Sequence, residues 1–209
     1  MSFRYKLPIY HYHLVENFPM KTNNLTRTYF KDVFGLDTGN RTVISYIGAI
    51  TKERELLPLI ESMTLIDNAV LFIIGKGNKE YELQLNNFIE KNKLQDIVKI
   101  YPPIPHNEVL YAINSSHIGV CFYNDKNFNS YFCASNKLYE YLDLGVKVLT
   151  NYTAGVAHVV HNGENGYCCR IINKENIAEG LKVLLNMQSI VRANYYWENQ
   201  VNTFLKIYE

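Results

Sequence analysis

The stretch Ser135–Thr150, "SNKLYEYLDLGVKVLT", reads as a short amphipathic helix, a glycine stop at Gly145 and an apolar strand, VKVLT. Lys137 stands in the first turn of that helix and Glu140 one turn on. A cation in the first turn repels the positive end of the helix dipole. The placement becomes favourable when an anion sits at the helix start, where Ser135 is a good N-cap and the free N–H groups attract negative charge. The alternative is a Lys137 that points to solvent. Glu140 could accept hydrogen bonds from a pair of hydroxyls, or be solvated or ion-paired. Spacing alone leaves both questions open.

Outward from this stretch the chain alternates. Strand-like runs at 42–48, 69–77, 97–101, 117–123, 146–150 and 166–171 are separated by helical patterns at 54–65, 79–92, 105–116, 135–144, 154–162 and 174–187. Strands this apolar are usually buried on both faces, so the alternation predicts an α/β fold with a doubly wound parallel sheet of about six strands. Pro58 is an awkward point near the start of the first helix, and a polar loop runs from the fourth strand through Ser130. The last segment, "SIVRANYYWENQVNTFLKIYE", is predicted as a longer aromatic helix outside the alternation. Residues 1–40 are expected to form a linker with a short helix near "NLTRTYFKDVFGL", and residues 41–209 the ligand-binding domain.

The 209 residues are 47% hydrophobic and 20% charged, enough for one domain with a sizeable core. With 21 basic and 20 acidic residues the formal net charge is +1, and no field of one sign points to nucleic acid. No apolar run is long enough to span a membrane, and the N-terminus lacks a signal-peptide pattern. Cys121, Cys133, Cys168 and Cys169 have no zinc spacing and are expected to be reduced, mostly buried thiols of a cytoplasmic protein. Cys168 and Cys169 should point to opposite faces of a strand. His11 and His13 could face one way on a strand, but no third ligand lies near in sequence, so no metal site is expected.

Ligands of an open parallel sheet sit at the carboxyl ends of its strands. The loops expected there are "GAITKER" with Gly48, Ala49, Lys52 and Arg54, "GKGN" with Gly75 and Gly77, the rigid "YPPIP", and the approach to the Ser135 helix. Gly75 and Gly77 allow a ligand close to the backbone, but they lack the third glycine of a dinucleotide fingerprint. "GAITKER" is not a phosphate-binding P-loop. The spacing points to a phosphate-containing ligand, a nucleotide.

The ordered segments "YIGAITKER", "FIIGKGN", "IVKIYPPIPHNEV", "SNKLYEYLDLGVKVLT", "HNGENGY" and "NYYWENQVNTFLKIYE" resemble the C-terminal half of retaining, sugar-nucleotide-dependent glycosyltransferases of the GT-B fold. The resemblance is to the bacterial type with an "NKLFEYxxxGxPV" segment, and it covers Phe18 to Glu209. It implies a Rossmann-like domain that binds a UDP- or GDP-type sugar and needs no other cofactor. Gly48 and Arg54 match the glycine-rich loop and the basic residue that contact the donor diphosphate, with Asn136 and Lys137 meeting the diphosphate or the sugar. Glu140, five residues before Gly145, matches the glutamate that binds the ribose hydroxyls. Tyr101, Pro103 and Ile104 match the strand end beside the nucleobase, and Gly77 the second loop.

The chain departs from the family pattern at two places. Ala49 stands where an arginine is usual, and Phe132 where a glutamate often contacts the donor sugar. No DxD-like metal motif is present, and no catalytic residue is assigned. The resemblance further implies an N-terminal acceptor-binding domain or subunit, with peripheral membrane association through that missing half. It also implies little or no transfer by this chain alone, and polysaccharide or lipid-linked acceptors of the cell envelope. A degenerate interaction module that has lost catalysis is the competing expectation, supported by Ala49 and Phe132. A nucleotide-sugar epimerase half shares the fold, but the "NKLYEY" type argues against it.

Overall fold

The structure, a computed structural model, describes residues 15–16, 18–21, 25–124 and 126–207. His11 and His13 lie outside the described residues. Six parallel strands form one sheet: β1 Thr42–Ile47, β2 Ala69–Ile74, β3 Val98–Tyr101, β4 Ile118–Cys121, β5 Lys147–Asn151 and β6 Gly166–Cys169, in the order β3-β2-β1-β4-β5-β6. The order reverses between β1 and β4, which makes their carboxyl ends the topological switch point of the doubly wound fold.

The strands are buried on both sides because each face carries its own apolar cluster. Ile44, Tyr46, Leu71, Ile73, Ile118, Val120 and Cys169 pack under α2 (Leu56–Ser62), α3 (Lys79–Lys91) and α8 (Lys174–Asn186). Val43, Val70, Phe72, Ile74, Cys121, Val148 and Cys168 pack under α1 (Tyr29–Phe34), α4 (His106–Asn114), α6 (Asn136–Asp143) and α7 (Ala154–Ala157). The neighbours Cys168 and Cys169 enter opposite clusters, as strand alternation requires. Among the described residues no helix is long and apolar enough to cross a membrane.

Side chains start several helices. Asn78 Oδ1 accepts from Tyr81 N–H, and Asn173 Oδ1 from Asn176 N–H. Pro58 sits in the first turn of α2, where its missing N–H costs no helical hydrogen bond. That helix is shorter than the predicted 54–65, with 3₁₀ turns at Lys52–Arg54 and Met63–Leu65 on either side.

Two expectations are corrected. The segment read as a polar loop contains a one-turn helix, α5 (Phe128–Phe132), started by Asn127, whose Oδ1 accepts from Asn129 N–H. The predicted long C-terminal helix is absent. Residues 188–196 are irregular, and only a 3₁₀ turn (Trp197–Gln200) and the five-residue α9 (Val201–Leu205) follow. Asn194 adopts a left-handed backbone, φ 57°, which a continuing helix cannot contain. The Ala193 N–H instead bonds Leu142 O at the end of α6, and Trp197 N–H bonds Pro19 O. Tertiary docking outweighs the aromatic amphipathic pattern here.

Candidate functional site

The loops after β1, β2 and β3 are stitched together by backbone hydrogen bonds. Gly48 N–H bonds Ile74 O, Ile50 N–H bonds Lys76 O, and Gly75 N–H bonds Tyr101 O, each at 3.0 Å. The close approach dictates glycine at two positions. A Cβ on Gly75 would lie 1.8 Å from Gly48 O, and one on Gly77 would lie 1.9 Å from Ile50 O. Tyr46 steers the first loop from below by donating to Ala49 O at 2.6 Å.

Two cavities open at these strand ends, sharing the wall Ile47–Ala49. The first, about 270 Å³, lies at the switch point and is lined by Gly48, Arg54, Tyr123, Cys133, Ser135 and Lys137, among others. The second, about 330 Å³, is lined by Gly75, Lys76, Pro103, Ile104 and Val109 beside the shared wall. It is mainly apolar, as a flat ring requires.

Two cations therefore meet at one cavity from different parts of the chain. The Arg54 guanidinium is anchored by donating from Nη1 to Phe122 O at 2.7 Å, just beyond β4. Lys137 comes from the first turn of α6, and its Nζ donates to Glu140 Oε2 at 2.6 Å. The lysine side chain is 28% exposed and the glutamate 8%. Glu140 is thus ion-paired rather than solvated.

The start of α6 is set by a relay of polar contacts. Asn151, at the end of β5, exchanges two hydrogen bonds with the Tyr123 backbone, at 2.7 and 2.9 Å. The Tyr123 hydroxyl lies 2.8 Å from Ser135 Oγ and accepts from Ser135 N–H at 3.3 Å. Ser135 is the N-cap residue in position, but its side chain makes no capping bond. Its Oγ lies against the Tyr123 hydroxyl instead, and the first turn closes on the Ser135 carbonyl, which accepts from Leu138 N–H at 3.0 Å.

Under the same helix, Tyr141 passes over β4 at Gly119. Its hydroxyl donates to Ser45 O and lies 3.1 Å from Ser45 Oγ, which itself accepts from Ser116 Oγ at 2.8 Å. A Cβ on Gly119 would fall 2.3 Å from the Tyr141 ring. This buried hydroxyl chain ties α6 to β1, one of the two strands that flank the switch point.

The structure brings together Gly48, Arg54 and Lys137 at the first cavity, with Glu140 paired to Lys137 behind it, and Pro103 and Ile104 at the second. Asn136 sits exposed at the first position of α6. Tyr101 and Gly77 line neither cavity. The Tyr101 ring stacks on Phe34 at 3.9 Å between centroids, and its carbonyl accepts the Gly75 N–H. Gly77 gives its N–H to Glu82 Oε1 at 2.6 Å, and its size serves the approach of Ile50. Phe132 is 63% exposed on α5, while Asn129, Ser130 and Cys133 supply that side of the first cavity. Sequence reasoning missed these three, and Tyr46 and Tyr123 with them. The signal available for α5 was Asn127, a helix-starting residue inside the supposed loop.

All four cysteines are free. Burial pushes Cys121 and Cys169 up to about 12 and Cys168 up to about 11, so these thiols stay protonated. Among the described residues no group of three or more His, Cys, Asp or Glu side chains could hold a metal ion.

A family model described as glycosyl transferases group 1 matches residues 30–200. The chain is 26% identical over 179 residues to the capsular polysaccharide biosynthesis glycosyltransferase CapM of Staphylococcus aureus. The match takes in 84% of this chain and 43% of CapM, so the chain spans less than half the length of that relative. The fold is shared with Anabaena HepE, solved in complex with UDP-glucose (TM-score 0.64, 14% identity, 77% of this chain and 43% of that one). It is also shared with the C-terminal domain of the group 1 glycosyl transferase LpcC from Francisella tularensis (TM-score 0.64, 16% identity, 91% of this chain and 98% of that one).

Proposed function

The chain belongs to the glycosyl transferases group 1 family, and from that membership we propose that it is the donor-binding half of a retaining glycosyltransferase. It takes a nucleotide-diphosphate sugar of the UDP or GDP type and serves transfer to a cell-envelope glycan or lipid-linked acceptor. The acceptor is held by an N-terminal domain or subunit, the reaction occurs at the cytoplasmic face of the membrane, and this chain alone transfers little or no sugar. Residues 41–209 form the nucleotide-sugar-binding domain.

One observation carries the reading. Arg54 and Lys137, on opposite sides of the switch point, line a single cavity together with Ser135 at the start of α6. Arg54 offers the diphosphate planar, directional donors, and Lys137 a compact charge. As the bond between sugar and diphosphate breaks, negative charge grows on the departing oxygen. Prepositioned cations and a helix N-terminus stabilise that charge without reorganising. Because Phe122 O already holds Arg54, little side-chain freedom remains to be lost on binding.

The neighbouring cavity, walled by Pro103, Ile104 and Gly75, receives the base, and the Ile47–Ala49 loop separates base from diphosphate. Glu140, one turn behind Lys137, accepts the ribose hydroxyls while keeping its ion pair. Support for the nucleotide comes from HepE, which shares the fold and was solved with UDP-glucose. Support for the acceptor class comes from CapM.

The test is a titration of the isolated chain with UDP and GDP, followed by amide NMR. Shifts confined to Gly48, Arg54, Ile104 and the first turn of α6 are expected. If no nucleoside diphosphate moves those signals at millimolar concentration, the chain is an interaction module rather than a donor-binding half.

A further inference from the structure

The cavity face of α6 carries Lys137 and Glu140, while its opposite face carries Tyr139 and Leu142. That opposite face is gripped by two segments from the two ends of the chain. The Tyr139 hydroxyl donates to Glu16 Oε1. Its ring lies edge-on to Phe18, with centroids 4.7 Å apart, and to Tyr195 at 5.3 Å. Glu16 is in turn locked to the tail: its N–H donates to Gln200 Oε1 at 2.7 Å, and Gln200 Nε2 donates back to Glu16 O at 2.6 Å. Beside this pair, Trp197 N–H bonds Pro19 O, and Ala193 N–H bonds Leu142 O. Gln200 is buried, unusual for an amide so near the end of the described chain, and both ends of its side chain are satisfied by the Glu16 backbone.

We infer that Glu16 and Tyr139 are positioning residues for the donor site, forming a clasp through which the leading segment and the tail set the orientation of α6. The inference rests on the donor-binding reading for its consequence, though its geometry stands without it. The argument is mechanical. A helix of eight residues cannot bend between its faces, so a restraint on Tyr139 fixes the first-turn cation two residues earlier. Ser135 makes no side-chain cap, but the Tyr123 hydroxyl holds it from the front. The buried Tyr141 holds the helix from below, and the clasp restrains its opposite face from behind. Displacing either the leading segment or the tail then loosens the diphosphate site without touching a residue that lines it.

The test compares the 209-residue chain with Glu16→Ala, Tyr139→Phe, Gln200→Ala and the conservative Glu16→Gln, whose amide oxygen still accepts from Tyr139. Two quantities are read: amide hydrogen exchange at Leu138–Glu140, and the UDP dissociation constant. Glu16→Ala and Tyr139→Phe should each raise first-turn exchange and the dissociation constant about fivefold, the magnitude expected for one lost hydrogen bond, and Gln200→Ala, which loses both bonds to the Glu16 backbone, should raise both in the same direction. Amides of α3 should be unaffected, the Glu16→Ala, Tyr139→Phe double variant should add nothing further, and Glu16→Gln should restore wild-type values. Unchanged first-turn exchange in Glu16→Ala and Tyr139→Phe overturns the clasp, whatever happens to the melting temperature. Unchanged UDP affinity beside faster exchange overturns its link to the ligand. A wild-type chain that binds no nucleotide contradicts the donor reading instead, and the exchange measurement still decides the clasp.

Discussion

Lys137 Nζ lies 2.6 Å from Glu140 Oε2, so the cation that faces the switch-point cavity and the carboxylate one turn behind it form a single ion pair within α6. The pairing explains how a lysine is accommodated at the positive end of a helix: an acidic partner at i+3 offsets the dipole. On the proposed reading, Glu140 therefore has two duties, to Lys137 and to the ribose hydroxyls.

That double duty is testable with a ligand lacking the hydroxyls. UDP should bind the wild type roughly tenfold more tightly than its 2′,3′-dideoxy analogue, as expected for hydrogen bonds to a charged group. In Glu140→Ala the ratio should fall towards one. A ratio that survives the substitution would leave Glu140 as the partner of Lys137 and nothing more.

Gly119→Ala should be among the most damaging single-methyl changes in the protein. The new Cβ falls 2.3 Å from a ring that is fully buried and tethered to Ser45, so neither group can yield cheaply. Overpacking of this kind costs about 1–3 kcal/mol, and each kcal/mol lowers the melting temperature of a domain this size by roughly 2–4 °C. A thermal melt of the variant checks it.

His117 should make the fold acid-sensitive. Its Nδ1 accepts the Val43 N–H at 3.0 Å, which places the ring proton on Nε2. Partial desolvation of the ring, with Arg27 and Lys147 nearby, holds its pKa below the ordinary value. The unfolded chain therefore binds more protons than the folded one between the depressed value and about 6.5. Stability from this group is complete above about pH 6.5 and is lost as pH falls through that window. Melting temperatures from pH 7.5 down to 5 should decline, and His117→Gln, which can still accept from Val43, should flatten that decline.

Cys133 should report on the cavity. It is the half-buried thiol on the cavity wall, whereas Cys121, Cys168 and Cys169 are buried with raised pKa values. Thiol reagents attack the exposed thiolate, so Cys133 should label first, and saturating UDP should slow it. Mass spectrometry of the labelled peptides distinguishes the sites.

The sheet was legible because its strands are apolar on both faces and its helices carry one apolar stripe, so period alone separated them. The meeting of Arg54 and Lys137, 83 positions apart, was legible from topology, which puts both loops at the carboxyl ends of the strands, and the family resemblance gave each a role. Hidden from the sequence were contacts that depend on docking. Tyr101 turns its ring to Phe34, Gly77 lets Ile50 approach, and the Tyr-rich tail lies against α6 instead of coiling. In each case a partner distant in sequence sets what the residue does.

The most direct measurement compares UDP with uridine on the wild type and on Arg54→Ala by calorimetry. If the switch-point cavity grips the diphosphate, the wild type binds UDP at least tenfold more tightly than uridine. Loss of the guanidinium then removes most of that preference while leaving uridine affinity unchanged. Equal binding of UDP and uridine by the wild type, or an undiminished preference in Arg54→Ala, would contradict the account.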